Sequence, residues 1–444
     1  MNILQEAQRM LEKYPLCDHC LGRQFALLGH GVENEERGRT IKLALTFEAH
    51  ALALSGDKKG VKVLKALATN GFSNVSKEII DRMGECIKAG DIPEKCFLCE
   101  GKLDLRNDLA EKALGLLGDY EYSSFLVGTE LPLTVGERED EFRAEFGVSH
   151  GESLRKEFAR TVGKRIAERS GKDVDFKKPE IVVLAEPFSG LVRLQVNPLF
   201  ISGRYRKLVR SIPQSKWFCM ECRGKGCKKC NWTGKMYPES VQEIVEKPLL
   251  EATSGASTSF HASGREDIDA RMLGNGRPFV IEIEAPKKRF LNLKKMEDAV
   301  NAHGVNKVEI SGLRFANRDV VRKLKGGESK QKEYRVFVQF ENKITAKDMR
   351  LLEKSLTNVM IKQKTPVRVL HRRADLTREK YIYDVGVKKL SPRKAELRLR
   401  CQGGLYVKEL VTGDEGRTVP SVSELLKNKA KPMELDVLNI VMED

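Results

Sequence analysis

The sequence predicts an α+β protein of several domains, and three observations lead to that class. Its 444 residues exceed what one hydrophobic core normally serves, so two or three domains are expected. Eight of the ten cysteines fall in four C-x-x-C pairs, a spacing that in a large intracellular chain speaks for metal rather than disulfides. Strand and helix patterns alternate from about residue 108, and from about residue 250 many strands are interspersed with helices. The 41% of hydrophobic residues suffices for the cores those elements need. Lys plus Arg (79) exceed Asp plus Glu (63) by 16, an excess that points to a polyanionic partner. No apolar run approaches a membrane span, and the polar amphipathic start is unlike a signal peptide, so a cytoplasmic protein without membrane contact is expected.

Residues 3–14 place Leu4, Ala7, Met10 and Leu11 at helical spacing before Pro15. Cys17 and Cys20 follow, then Gly22; Cys96 and Cys99 repeat the arrangement with Gly101. This is the form of a zinc knuckle, and the four thiolates together predict a structural zinc that staples a helical excursion over residues 37–91 at its base. Cys86 and Cys401 stand alone and read as small buried hydrophobes. Residues 142–169 have helical spacing, and 181–184 and 191–196 read as strands joined by a Pro187/Ser189/Gly190 turn. The segment 197–207 closes that region and resembles the terminal strand and turn of the THUMP module, an RNA-binding domain. Cys219, Cys222, Cys227 and Cys230 then set two knuckles four residues apart, a second zinc candidate, with an iron–sulfur cluster as the minor alternative. Residues 251–263 are poor in bulky side chains and read as an inter-domain passage. Strands are expected at 278–283, 308–310, 334–340, 395–401 and 433–442, with a helix at 294–301; Gly403-Gly404 should turn the chain into a further strand through Tyr406. The resulting divisions are 1–107, a zinc-stapled helical region; 108–250, an RNA-binding region with the second cysteine set; and 251–444, a catalytic domain.

Several chemistries are excluded cheaply. There is no phosphate-binding G-x-x-x-x-G-K-[ST] loop, and Gly274-Asn275-Gly276 lacks the third glycine and helix of a dinucleotide fingerprint. His150-Gly151-Glu152 has no following P-C-x-x-C, so zinc deamination of a base is not expected. What remains is Gly264-Arg265-Glu266-Asp267-Ile268-Asp269-Ala270-Arg271, an acidic centre in a basic setting. A carboxylate among arginines stays ionised, which suits a nucleophile or a stabiliser of an oxocarbenium-like transition state.

Gly264-Arg265-Glu266-Asp267 resembles the G-R-x-D motif of pseudouridine synthases, and Gly404-Leu405-Tyr406-Val407-Lys408 resembles their later G-x-Y-I-[RK] motif. With Gly274 to Phe279, the T-P-x-R-V-x-H-R-R segment at 365–373 and the N-terminal cysteine pairs, the whole chain is similar to the archaeal Pus-ten family of tRNA pseudouridine synthases. The resemblance implies a catalytic domain with a mixed, largely antiparallel sheet and flanking helices, isomerisation of the two adjacent T-loop uridines of tRNA, and no organic cofactor. It casts Asp267 as nucleophile, Lys408 as its ion-pair partner and Arg265 as the residue that displaces the base. Tyr334 would stack on the uracil, Tyr406 and Val407 would line the pocket, and Leu425 would form a further wall. Val407 stands where isoleucine is commoner. The register of the motif selects Asp267 over Asp269, and Glu266 and Asp269 are expected to partner Arg271 and its neighbours. Lys287-Lys288-Arg289, residues 362–373 and the second cysteine set are candidates for phosphate contacts. The accessory region is expected to grip the acceptor end while the cleft takes the T-loop. The partner implied is tRNA, with no obligate protein partner. A non-catalytic tRNA chaperone and another THUMP-linked modifying enzyme are the alternatives.

Overall fold

The computed structural model of the chain describes residues 2–325 and 331–441. It divides into two compact units, Met1–Asn197 and Pro198–Asp444.

In the first unit, helix Ile3–Lys13 starts at Asn2, whose side chain accepts from the backbone N–H of Leu4 and Gln5, and it buries Ala7, Met10 and Leu11. Helices Asn34–Leu54, Lys58–Thr69 and Asn74–Arg82 make up the excursion between the first two cysteine pairs. The strands are β1 (Ser124–Thr129), β2 (Asp173–Val174), β3 (Ile181–Glu186) and β4 (Leu191–Val196), in the order β2-β1-β3-β4. β1 runs parallel to β2 and β3, which requires a long crossover, and helices Leu133–Phe146 and Leu154–Ser170 supply it. Their buried Phe142, Phe158, Val162 and Ile166 share one continuous core with Phe125, Ile181, Leu21 and Leu98, so the cysteine-bearing segments and the sheet are packed together. Arg23, fully buried, pairs with Glu139, whose carboxylate also accepts from the Leu154 N–H.

The second unit is built on a sheet of β5 (Leu199–Lys207), β6 (Ser257–Ala262), β7 (Ala270–Glu284), β8 (Val308–Ala316), β9 (Gln331–Phe340), β10 (Val359–Lys364), β11 (Thr377–Ser391), β12 (Lys394–Gln402), β13 (Thr418–Val419) and β14 (Ala430–Ile440). The order is β13-β10-β11-β12-β9-β14-β7-β5-β8, with β6 also on β7. Every pairing is antiparallel except β14 with β7. β14 therefore joins two halves. One has a core of Val336, Leu397, Leu352 and Leu410; the other has a core of Ile201, Val245, Ile281 and Val300. Tyr334 packs against both.

Three expectations change here. Segment 197–207, read as the end of a THUMP-like region, supplies β5, hydrogen-bonded to β7 on one side and β8 on the other, so the second unit begins near residue 198 rather than 251. Residues 251–263 are no loose passage: helix Val241–Thr253 enters them and β6 pairs with β7, because small Ser and Thr side chains lie flat against a neighbouring strand. Residues 405–410 form no strand. Tyr406 is the N-cap of helix Val407–Thr412, and the apolar set Val407, Leu410 and Val411 satisfies a helical repeat as well as an alternating one.

Candidate active site

Residues 263–269 connect the end of β6 to the start of β7. Gly264 has φ +77°, a backbone conformation that favours glycine, and a Cβ there would also crowd the ends of Lys332 at 3.0 Å and Arg277 at 3.3 Å. The carbonyls of the loop are held from outside. Arg277 donates to Ser263 O (2.6 Å), Gln214 to Gly264 O (3.0 Å) and Arg210 to Asp269 O (2.9 Å). Lys207, fully buried at the end of β5, donates to Asp267 O (3.2 Å), Ile268 O (3.1 Å) and Ile212 O (3.0 Å), which uses all three ammonium protons. Glu266 points inward, where it accepts from the Tyr205 hydroxyl at 2.9 and 3.0 Å and pairs with buried Arg277 at 2.8 Å. A loop fixed at so many points presents two outward carboxylates, Asp267 and the more exposed Asp269, in defined places, and one of the two takes a pair of cations.

That carboxylate is Asp267, 39% exposed, with Oδ2 lying 3.1 Å from Lys408 Nζ and 3.4 Å from Arg368. Lys408 sits in the first turn of helix Val407–Thr412 and also reaches both oxygens of Asp269 at 2.8 Å. Burial opposes ionisation of Asp269, but the hydrogen bond and charge of Lys408, the residue's own backbone N–H and the charge of Arg368 together outweigh it and hold this carboxyl below its usual range. Arg368 is steadied by Glu409 at 2.7 Å and lies 6.0 Å from the centre of the Tyr406 ring. Buried Gln363 pins the Tyr406 backbone, accepting from its N–H at 2.8 Å and donating to its carbonyl at 3.1 Å, while Arg373 donates to the Tyr406 hydroxyl at 2.8 Å.

Tyr334, on β9, is partly buried against both cores of the unit. Burial pushes its hydroxyl above the usual tyrosine range, and the charges of Asp267 and Glu266 push the same way against Arg277, so the phenol stays protonated. Val407 is buried in the core, Leu425 is partly buried against the same core, and Arg265 stacks over Trp217 at 4.9 Å. An adjoining cleft of about 460 Å³ has Gly264 and Tyr406 in its wall along with four cationic side chains, Lys332, Arg373, Arg378 and Lys380. That volume is of the size that takes a small ligand such as an extruded nucleoside.

The site thus brings Asp267 to Lys408 and Arg368, with Tyr406 beside Arg368 and Tyr334 near enough to feel the charge of Asp267, while Val407 is buried in the core. It does not bring Arg271 to Glu266 or Asp269. Arg271 pairs instead with Asp436 of β14 at 2.9 Å, because parallel pairing of β14 with β7 sets the two side by side. Asp436, fully buried, also receives Arg335 and Arg210 at 2.8 Å each. Arg368, Lys207, Arg210 and Asp436 were not singled out from the sequence. For Arg368 a signal existed, its place in the 365–373 motif, hidden by the surrounding basic run.

The cysteines form two groups of four, each with sulfurs mutually within 4.8 Å. Cys17 and Cys99 sulfurs are 3.6 Å apart; in the second group, Cys219–Cys227 and Cys222–Cys230 are 3.8 Å apart and Cys227–Cys230 3.7 Å. A tetrahedral tetrathiolate with ~2.3 Å bonds has edges of roughly 3.8 Å, so both sets fit one zinc-sized ion. Backbone N–H groups of Cys20, Gly226 and Gly234 point at the sulfurs at 3.2–3.4 Å, as a thiolate requires. The first group is largely buried, the second lies in an exposed loop.

An ionisable loop held against a strand end, cations from the opposite half of the sheet and a neighbouring basic cleft are the marks of a pseudouridine synthase catalytic unit. The Pus10 C-terminal domain matches residues 200–441, and the archaeal Pus10 THUMP domain matches residues 109–186. The tRNA pseudouridine synthase Pus10 of Methanocaldococcus jannaschii is 46% identical over 441 residues, covering 97% of this chain and 93% of that protein. Its counterpart from Methanothrix thermoacetophila is 40% identical over 441 residues, covering 99% and 94%. The chain belongs to the Pus10 family of tRNA pseudouridine synthases. Among solved structures, a Cbf5-Nop10-Gar1 complex overlaps 54% of this chain and 48% of that one at 12% identity, with a TM-score of 0.30.

Proposed function

We propose that this protein isomerises T-loop uridines of tRNA to pseudouridine, with Asp267 as the nucleophile. The observation that carries the reading is the Asp267 carboxylate, whose Oδ2 lies 3.1 Å from Lys408 and 3.4 Å from Arg368, on the loop whose Gly264 walls a basic cleft. Oδ1 is then available to attack C1′ of an extruded uridine as the N1–C1′ bond opens. The detached uracil turns over, C5 attacks C1′ as the Oδ1–C1′ bond breaks and gives the carboxylate back, the C5 proton leaves to solvent and N1 takes up a proton. Tyr334 supports the base, Tyr406 and Val407 shape the pocket, Leu425 backs its wall, and Arg265 displaces the base from its stack; stacking returns about 1–3 kcal/mol against an extrusion cost of a few. Lys332, Arg373, Arg378 and Lys380 meet the phosphates. Each cysteine set holds a structural zinc, no organic cofactor takes part, and the Met1–Asn197 unit grips the tRNA. Among the described residues no helix is long and apolar enough to cross a membrane, and the protein works in the cytoplasm, where tRNA is.

Incubation with a tRNA transcript carrying C5-tritiated uridine, without S-adenosylmethionine or ATP, is expected to release tritium. Tight binding with no release would instead identify a scaffold.

Lys207 gives this reading a pH signature. Burial lowers its pKa from 10.5 to about 8, aided by Arg277 and opposed by Glu266, Asp269 and Asp267. As pH rises through about 8, one donor to the loop carbonyls is lost and kcat is expected to fall; Lys207→Met should lower the plateau and flatten that limb. Stability moves the other way. Between about 8 and 10.5 the unfolded chain binds more protons than the folded one, so unfolding free energy rises with pH. A parent kcat that stays level across this range would count against the role.

A further inference from the structure

The second cysteine set lies in a small module, residues 217–236, whose surface differs from the rest of the unit. Its stem is a short antiparallel contact: Cys219 N–H donates to Gly234 O at 2.8 Å, Met236 N–H to Trp217 O at 2.8 Å, and Phe218 bridges Lys235. From this stem rise Phe218, 59% exposed, and Trp232, 71% exposed. Large aromatic surface in water is costly, and here the backbone is built to keep it there. Asn231 and Trp232 occupy successive left-handed conformations, φ +49° and +61°, locked by Trp232 N–H to Cys227 O at 2.9 Å. Gly226, whose Cβ would lie 2.9 Å from the Trp232 carbonyl, leaves room for that turn to close. Strain held by this many contacts at an outward indole marks a binding feature.

The cations of the module divide in two. Lys229 and Lys235 are committed to Glu221 and Glu243, at 2.7 and 2.6 Å. Arg223, Lys225 and Lys228 are exposed and make no ion pair among the described residues. An exposed indole flanked by free cations complements a nucleotide: a flat π-face for the base, positive charge for its phosphate. The stem also touches the aspartate loop, since Trp217 lies under Arg265 and Gln214 donates to Gly264 O. A chain of RNA bound in the cleft therefore has this module beside it.

We propose that residues 217–236 form a nucleotide-stacking site, in which Trp232 carries an unpaired base of the tRNA substrate while Arg223, Lys225 and Lys228 meet the adjoining phosphates. The site rests on the reading of the chain as a tRNA-modifying enzyme and extends it to a second base contact away from Asp267. Sequence-tolerant stacking on an aromatic face is worth enough that its loss is visible in affinity.

The chain has two tryptophans, so the emission of the full-length zinc-loaded protein minus that of Trp232→Phe isolates Trp232. Saturating tRNA is expected to quench this emission and shield it from acrylamide. Trp232→Ala should raise the Kd for tRNA by about 5- to 100-fold, Trp232→Phe should restore most of the loss, and a Lys225→Glu/Lys228→Glu double variant should weaken binding with a shallower salt slope. Zinc at two ions per chain verifies that each variant keeps the module folded. An indole that stays open to acrylamide in the complex, with Trp232→Ala binding as the parent does, overturns the proposal, as does shielding by a protein partner without shielding by tRNA. All readouts are of binding and are repeated in Asp267→Ala protein. Failure of tritium release with Trp232 shielded faults the catalytic reading alone; release with Trp232 unshielded faults this one.

Discussion

Asp267→Ala is expected to lower tritium release by about ten-thousandfold, the scale of loss when a covalent nucleophile is removed, and to leave tRNA affinity unchanged or slightly tighter. The first half follows from geometry. Lys408 at 3.1 Å and Arg368 at 3.4 Å hold the carboxylate in place, and alanine removes the group they hold. The second half follows from charge: deleting a carboxylate removes one negative charge beside Lys408 and Arg368 at a surface that binds a polyanion. Asp267→Asn, which keeps the shape, should be as inactive as the alanine variant. Asp269→Ala should cost no more than about tenfold, because that side chain is 67% exposed and Lys408 keeps its contact with Asp267. Single-turnover release and filter binding on the three variants decide the matter; an inactive Asp269→Ala beside an active Asp267→Ala would reverse the assignment.

Cys96→Ser is expected to take zinc from two ions to one per chain and to unfold much of the Met1–Asn197 unit. The set joins residues 17–20 to 96–99 across three helices, and its sulfurs are packed in the core with Leu21, Leu98 and Leu103. Structural zinc contributes about 10–16 kcal/mol in small peptides, comparable with the whole 5–15 kcal/mol stability of a domain. Hydrogen exchange should show protection lost over the helices Asn34–Leu54 and Lys58–Thr69 and retained in β7 and β9. Cys227→Ser should also lose one zinc while leaving both cores protected, since its loop is exposed. Full protection in Cys96→Ser protein would show that the first set holds no structural metal.

Much of this molecule is written locally. The cysteine spacing places both sets of four, β3 follows from a short apolar run, and β9 and β12 follow from alternation. The register of Gly264 to Asp267 points to Asp267, one of two carboxylates that Lys408 reaches, Asp269 being the other. What stayed illegible is what depends on distant pairing. A lysine ending a basic strand reads as solvated, yet Lys207 is buried because β5 is interior to the sheet. Asp436 looks like a surface acid until β14 lies between β7 and β9 and three arginines converge on it, one from 226 residues away in sequence. The place of Arg368 in the 365–373 motif was masked by its basic neighbours, and only its contacts with Glu409 and Asp267 set it apart.

The position of β14 has a consequence for the timing of synthesis. Asp267 comes from the half of the sheet that holds β7, and Lys408 and Arg368 come from the half that holds β10 and β12; β14, made after all of them, is the strand that joins the halves. On the ribosome Asp267 and the cations Lys408 and Arg368 are therefore expected to stay apart, and activity towards tRNA to be absent, until residues 430–440 have emerged. A chain that stalls before them is an incomplete sheet with two open edges, a target for proteolysis rather than a careless catalyst.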